Sequence, residues 1–283
     1  MDIELTSGAA THVGLIRKVN EDRYVARSPV FVVADGMGGH DRGDVASTML
    51  AAAFEEIAGA GPIDMDVVAE LVRTSHQAIR EAGHDSPVDR EMGTTLVGAL
   101  IVTNGAEESW LIVNIGDSRA YRYFDGRLTQ LSTDHSVVQE LIDSGVMSAS
   151  AAHRHPDRHI ITRAVGVHTD LVPDFFLRPP EVGERLLLCS DGVHDELSDT
   201  ELAAILAHEV GPQEVADLVV AAVLDRGARD NLTVVVVDTV GLREPAIVTA
   251  QERTGPVPEV QVPAATTAAA GAGPRRRRGT TDS

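Results

Sequence analysis

Between residues 94 and 131 four apolar runs follow one another, at 95–102, 110–115, 120–124 and 127–131, joined by links as short as "NIGDSRAY" and "FDGR". A crossover to a parallel neighbour needs a dozen or more residues, so links this short make antiparallel hairpins. That removes the doubly wound α/β folds and leaves α+β. Runs rich in Val, Ile and Leu at 31–34, 185–189 and 232–237 also read as strands. Helical periodicity marks 44–59, 64–83, 136–145, 199–209 and 212–227, with Asp44, Asp64, Ser136 and Asp199 as N-caps and glycines as stops. Strands apolar on both faces need cover on both faces. The expected architecture is therefore an αββα sandwich, two packed and mainly antiparallel sheets flanked by helices.

The balance of charge narrows the function. The chain carries −19 over 283 residues, and −21 when only the residues before 243 are counted. A nucleic-acid footprint is basic, so nucleic acid is not an expected partner, whereas a chain that holds cations fits. The single cysteine, Cys189, allows no intramolecular disulfide and agrees with a reducing compartment. The start shows no basic segment followed by an apolar one, and no uncharged apolar run reaches the ~18 residues of a membrane span. The expectation is a cytoplasmic monomer without a transmembrane segment. From residue 243 the texture turns to Pro, Ala, Thr and Gly without aromatics. This divides the chain into a catalytic domain over 1–242 and a disordered tail over 243–283, whose "RRRR" run at 275–278 reads first as a solvated end and second as a contact for an anionic surface or acidic partner.

Acidic residues recur where strands end. In "VFVVADGMGGH" an apolar run closes on Asp35 and opens into a glycine-rich loop. "GERLLLCSDGVHDELSD" repeats the pattern at Asp191, "WLIVNIGDSRAY" places Asp117 at a third strand end, and Asp230 opens "RDNLTVVVVD". Asp125-Gly126 serves as the internal control: it links "YRYF" to "RLTQL" and reads as a plain hairpin turn. Near the N-terminus "GLIRKVNEDRY" groups Arg17, Glu21 and Asp22. Clustered carboxylates raise one another's pKa unless cations cancel their charge. An all-oxygen donor set suits Mg²⁺ or Mn²⁺ rather than zinc. A pair of such ions can clamp a phosphoryl group and activate water. In that case Asp35 bridges two ions, and the glycines let a backbone carbonyl come close enough to be a ligand.

These residues resemble the PPM-type, metal-dependent Ser/Thr protein phosphatases (protein phosphatase type 2C), in particular the bacterial branch. Eight segments carry the resemblance in order: "GLIRKVNEDRY", "VVADGMGGH", "GTTLVGALI", "NIGDSRAYRY", "LSTDHS", "ITRAVG", "LLLCSDGVHDELSD" and "RDNLTVVVV". The resemblance implies the same αββα sandwich and hydrolysis of phosphoserine and phosphothreonine by a metal-activated water, without a phosphoenzyme. It implies Asp35 as the bridging ligand, the Gly36 carbonyl on the second ion, and Asp191 and Asp230 on the first. Asp22, with Glu21 beside it, would hold waters of the second ion, and Asp117 would share a third, weaker ion with Asp191. Arg17 corresponds to the phosphate-binding arginine, and with Asp35 and Asp191 it makes up the implied catalytic set. Implied partners are phosphorylated Ser/Thr proteins and a cognate Ser/Thr kinase. Two departures stand out. Met37 follows Asp35-Gly36 where some members carry a histidine, and His40 is the nearest, which leaves the general acid open, with a metal-bound water as one candidate. In the segment "HRHPDRHI", His159 reads as a surface histidine.

Other readings compete. Cys189 fails as a Cys-x5-Arg nucleophile because residue 195 is Asp195, so it reads as a small buried apolar residue. "GDS" with "DGVH" echoes some serine esterases, with Ser118 as nucleophile and His194 as base, yet leaves Asp35, Asp230 and Arg17 without a role. A non-enzymatic phosphoprotein-binding module would be signalled by missing metal carboxylates, and they are present.

Overall fold

The structure is a computed structural model that describes residues 2–38, 42–59, 63–84, 92–104, 107–152, 155–167 and 169–243. The chain opens with β1 (Asp2–His12), β2 (Asp22–Arg27) and β3 (Val30–Gly38), then helices α1 (Gly43–Ile57) and α2 (Met65–His84). Next come β4 (Met92–Thr94), β5 (Leu96–Asn104), β6 (Glu107–Ile115), β7 (Arg119–Phe124) and β8 (Arg127–Gln130). The short helices α3 (Val137–Asp143) and α4 (Ala149–Ala152) lead to β9 (Asp174–Arg178) and β10 (Arg185–Cys189). Helices α5 (Asp191–His194), α6 (Asp199–Leu206) and α7 (Pro212–Leu224) precede β11 (Leu232–Arg243).

One sheet has the order β1-β11-β10-β7-β8 and the other β2-β3-β5-β6-β9, with β4 added on β3. Their ladders are antiparallel. β3 shows why the sandwich forms. Val30, Val32 and Ala34 pack with Leu50 and Phe54 of α1. The alternate residues Phe31 and Val33 pack against Val97, Trp110, Leu186, Leu188 and Val235, which come from both sheets. On the far side Leu187, Val234 and Val236 meet Leu202 of α6 and Val215 and Val219 of α7. Each strand with two apolar faces thus has a sheet on one and helices on the other, which gives the αββα layering.

The strand series behaves as expected at two links and differently at a third. β5–β6 and β7–β8 are hairpins, the latter turning on Asp125 (φ 50°) and Gly126 (φ 72°), which carries no chemistry. The link between β6 and β7 is not a hairpin: β6 lies in one sheet and β7 in the other. Gly116, at φ 104°, makes the turn with a backbone that side-chain-bearing residues seldom adopt. This crossing leaves Asp117 between the layers.

Strands β1, β2 and β9 were not legible as apolar runs, because each is an edge or near-edge strand with a polar or small-residue texture. Pairing with β1 also carries β11 past the expected end at 237, to Arg243 opposite Asp2. The tail beyond Arg243, with its "RRRR" run, and His40 lie outside the described residues. Ser136 caps α3 by accepting from the Gln139 N–H (3.3 Å), and Asp64 accepts from Asp66 N–H (2.9 Å). α6 is capped one residue earlier than expected, at Ser198, whose N–H donates to Glu201 (3.0 Å).

Far from the strand ends that carry the aspartates, Glu184 ties the sheets together. Its buried carboxylate accepts from Trp110 Nε1 (2.9 Å) and Arg122 Nε (2.7 Å) and pairs with Arg178 (2.6 Å). A buried carboxylate is tolerated where several donors satisfy it, and removing one partner costs about 3–5 kcal/mol. No helix among the described residues is long and apolar enough to cross a membrane.

Candidate active site

Register assembles the site. Asp22 stands opposite Asp35, Val33 opposite Val97, and Leu96 opposite Ile115. In the second sheet Cys189 stands opposite both Val234 and Arg119. The ends of β3, β6 and β10 and the starts of β2 and β11 therefore share one edge of the sandwich. A cleft of about 550 Å³ opens there. Arg17, Glu21, Asp35, Gly36, Asp117, Asp191 and Asp230 line it, together with Asp195, His159 and Met37.

Asp22 sits elsewhere. Glu21, just before β2, lines the cleft, whereas Asp22, directly opposite Asp35 in the β2–β3 ladder, is recessed from it and 2% exposed. One Asp22 oxygen accepts from the Ser190 hydroxyl (2.8 Å), and the other, Oδ1, has no hydrogen-bond partner among the described residues.

Hydrogen bonds fix the backbone that carries Asp35. Its N–H donates to Thr95 Oγ1 (3.0 Å), its carbonyl accepts from Thr95 N–H (2.8 Å) and from the Thr94 hydroxyl (3.0 Å), and Thr95 Oγ1 lies 2.7 Å from Ser118 Oγ. Ser118 is fully buried in this network, and His194 Nε2 is held 3.0 Å from the Asp117 carbonyl. Neither is placed as a nucleophile–base pair, which removes the esterase reading. Cys189 is also fully buried, and burial pushes its thiol up to about 12, far from a reactive thiolate. Gly36 is held so close to Gly43 that a Cβ would clash with the Gly43 carbonyl, which is why this position has no side chain.

The electrostatics follow from crowding. Burial, then the charge of Asp22, holds Asp35 well above the usual carboxylate range, and burial, then Asp117, does the same for Asp191. Burial raises Asp117 to about 7, with Asp134 adding repulsion, and raises Asp22 to about 6 against its hydrogen bonds. At the rim Arg17 Nη2 reaches Asp230 Oδ2 at 2.6 Å. So many carboxylates recessed together, one with an orphaned buried oxygen, fit hard divalent cations as the missing counter-charge.

Asp195 was overlooked as a site residue. It follows Asp191 by four positions, one turn of the short helix α5, and that spacing is the signal that could have found it. His159, expected as a surface histidine, is 48% exposed but has its Nδ1 3.3 Å from Asp195 Oδ2, and ligand atoms of His159, Asp191 and Asp195 lie within 4.8 Å of one another.

Fold and cleft together define a class, an αββα sandwich with an oxygen-donor metal centre at one edge of its sheets. The chain belongs to the protein phosphatase 2C family, whose model matches residues 18–219. It is 40% identical over 240 residues to the serine/threonine protein phosphatase PstP of Mycobacterium tuberculosis, an alignment that covers 83% of this chain and 45% of that protein. The chain thus spans less than half the length of this relative. With the serine/threonine phosphatase stp of Listeria welshimeri the identity is 36% over 240 residues, covering 81% of this chain and 93% of the relative. Among solved structures, the catalytic domain of PstP in complex with two manganese ions superimposes with a TM-score of 0.76 at 36% identity, covering 84% of this chain and 99% of that one.

Proposed function

We propose that the chain is a metal-dependent protein serine/threonine phosphatase, which hydrolyses phosphoserine and phosphothreonine without a phosphoenzyme. The observation that carries this is the single cleft on which Asp35, Asp117, Asp191 and Asp230 open, with Arg17 at its rim. The solved relative that contains two manganese ions supports the same reading.

Asp191 and Asp230 are proposed to hold a first ion and the Gly36 carbonyl a second, with Asp35 bridging the two. Asp22, through its Oδ1, would hold water of the second ion, and Asp117 with Asp191 would hold a third ion. Bound there, Mn²⁺ or Mg²⁺ supplies Lewis acidity towards water and the phosphoryl oxygens and cancels the carboxylate charge. Arg17 orients the phosphate, because its planar guanidinium can grip two oxygens at once. The oxygen that bonds to phosphorus is proposed to come from water, in keeping with the burial of the Ser118 and Cys189 side chains away from the cleft. The ester oxygen departs with a proton as the serine or threonine hydroxyl.

Substrates are proposed to be phosphorylated Ser/Thr proteins and a cognate Ser/Thr kinase, acted on in the cytoplasm by a monomer. The test is phosphate release from phosphothreonine peptides with Mn²⁺. Activity should vanish in EDTA and return with excess Mn²⁺; full turnover in excess chelator would contradict the reading.

A further inference from the structure

We propose that Asn231 is a positioning residue that sets Arg17 in place, an inference that rests on Arg17 being the phosphate-binding group. Arg17 lies in the connection between β1 and β2. Leu15 and Ile16 beside it are 61% and 69% exposed, so this connection is not held down by burying its apolar side chains. It is held by hydrogen bonds, and three of them meet on one amide. Asn231 Nδ2 donates to the carbonyls of Val13 (2.9 Å) and Val19 (3.0 Å), which bracket Arg17. Asn231 Oδ1 accepts from the Glu21 N–H (2.9 Å) at the end of the same loop. Backbone tethers are Leu15 N–H to the Ala228 carbonyl (2.8 Å) and Gly36 N–H to the Glu21 carbonyl (3.2 Å).

The same residue reaches the acidic side. Its N–H donates to Asp230 Oδ1 (2.8 Å), while Arg17 Nη2 donates to Asp230 Oδ2 (2.6 Å). Loop and guanidinium are thus fixed against one carboxylate from two sides. Gly192, next to Asp191, packs so closely on the Asn231 carbonyl that a Cβ would clash. Asn231 is 6% exposed, and its amide offers the combination the loop needs, two donors and an acceptor. An aspartate of the same shape keeps the acceptor for Glu21 but loses both donors. The loop carbonyls at Val13 and Val19 would then face a carboxylate.

The test uses the full chain with saturating Mn²⁺ and the variants Asn231→Ala, Asn231→Asp, Arg17→Ala and the Asn231→Ala/Arg17→Ala double. On a phosphothreonine peptide, Asn231→Ala should raise KM by about tenfold with kcat within about twofold, the signature of weakened uniform binding. Mn²⁺ affinity by titration calorimetry should not change. In the Arg17→Ala background the Asn231 substitution should add nothing, since its effect passes through Arg17. Effects that multiply instead, weakened Mn²⁺ binding, or an unchanged KM would each overturn the proposal. Should Asn231→Ala not fold, Asn231→Asp is read the same way. Hydrogen exchange supplies an arm that does not depend on turnover: amides of 13–21 should exchange faster in the variants while β11 stays protected, and unaltered exchange overturns the proposal. A wild-type chain that releases no phosphate with Mn²⁺ would sink the phosphatase reading, and the exchange arm would still decide whether Asn231 holds the loop.

Discussion

Asp22 and Asp35 stand directly opposite each other in the β2–β3 ladder, and the hydroxyl of Ser190, from the other sheet's strand-end loop, donates to Asp22 from behind. Two acids in register lie close enough to repel. Burial raises the pKa of both, with the charge of Asp22 adding to the rise at Asp35 and that of Asp230 to the rise at Asp22, so the folded protein binds protons that the unfolded chain has already released. In EDTA this group contributes stability that is fully present below the ordinary carboxylate value of 3.8 and is lost as pH rises through about 6 for Asp22 and about 7 for Asp117. The metal-free protein should therefore melt at a lower temperature near about pH 8 than near about pH 5, and Asp22→Asn should flatten that difference. Mn²⁺ should restore more at the higher pH. Thermal melts across pH with EDTA and with Mn²⁺ check this, and a metal-free profile that rises with pH would contradict it.

Asp35→Asn, Asp191→Asn and Asp230→Asn should each lower kcat/KM by more than about a hundredfold, because each removes formal charge from a site that holds divalent ions. Stability in EDTA should hold or increase for Asp35→Asn and Asp191→Asn, since each substitution relieves repulsion among buried acids. Steady-state kinetics and melting curves on the same samples separate the two effects. Loss of activity accompanied by unfolding would instead mark these residues as structural.

The layering and the meeting of strand ends were legible because they rest on strong signals. Apolar runs such as 31–34 and 232–237 are uniform enough to demand cover on both faces, and an acid at the end of such a run can only sit at a sheet edge. The remainder depended on what single residues do in three dimensions. Gly116 sends the chain from one sheet to the other, where a short link suggested a hairpin. β1 escaped notice because "DIELTSGAATH" holds its place by a long ladder with β11 and by Gly8 lying against Gln213 of α7, not by a run of large apolar side chains. Glu21 and Asp22 are neighbours in sequence, yet only Glu21, which precedes β2, lines the cleft, and telling them apart needs the start of β2 to be known. Asn231 looked like an ordinary residue after Asp230; its three loop contacts span more than two hundred positions.

Arg17→Ala should raise KM for phosphorylated substrates by about tenfold or more while leaving Mn²⁺ binding in place. Arg17→Lys should recover little, because a point charge does not reproduce a planar two-pronged grip. Kinetics on a phosphothreonine peptide decide the matter, and unchanged KM and kcat would remove Arg17 from the site.

Asp117→Asn should lower turnover but leave two Mn²⁺ per chain bound tightly. Asp117 lies on the link between the sheets, and its backbone is held by His194 whether or not the side chain is charged. Calorimetric titration counts the sites. Loss of both tight ions would show that Asp117 belongs to the main pair.

Removing residues 246–283 should leave kcat and KM on a small phosphoester unchanged. The proposed ligands lie at or before Asp230, and β11, which closes its sheet against β1, ends at Arg243. The segment has no aromatic residue and little apolar surface with which to extend a core. Its loss changes net charge only from −19 to −21, and at physiological salt a shift of that size is screened within about 8 Å. The "RRRR" run can still matter for reach, by drawing an acidic protein segment towards the domain. On a phosphoprotein substrate the shortened chain should therefore lose activity at low salt and match the full chain at high salt, because surface attraction fades as ions are added. The comparison is kcat/KM for both chains on a chromogenic phosphoester and on a phosphoprotein, each at low and high salt. A tenfold fall on the small ester, ~1.4 kcal/mol of lost transition-state stabilisation, would mean that the tail takes part in the catalytic domain and that the boundary belongs further along the chain.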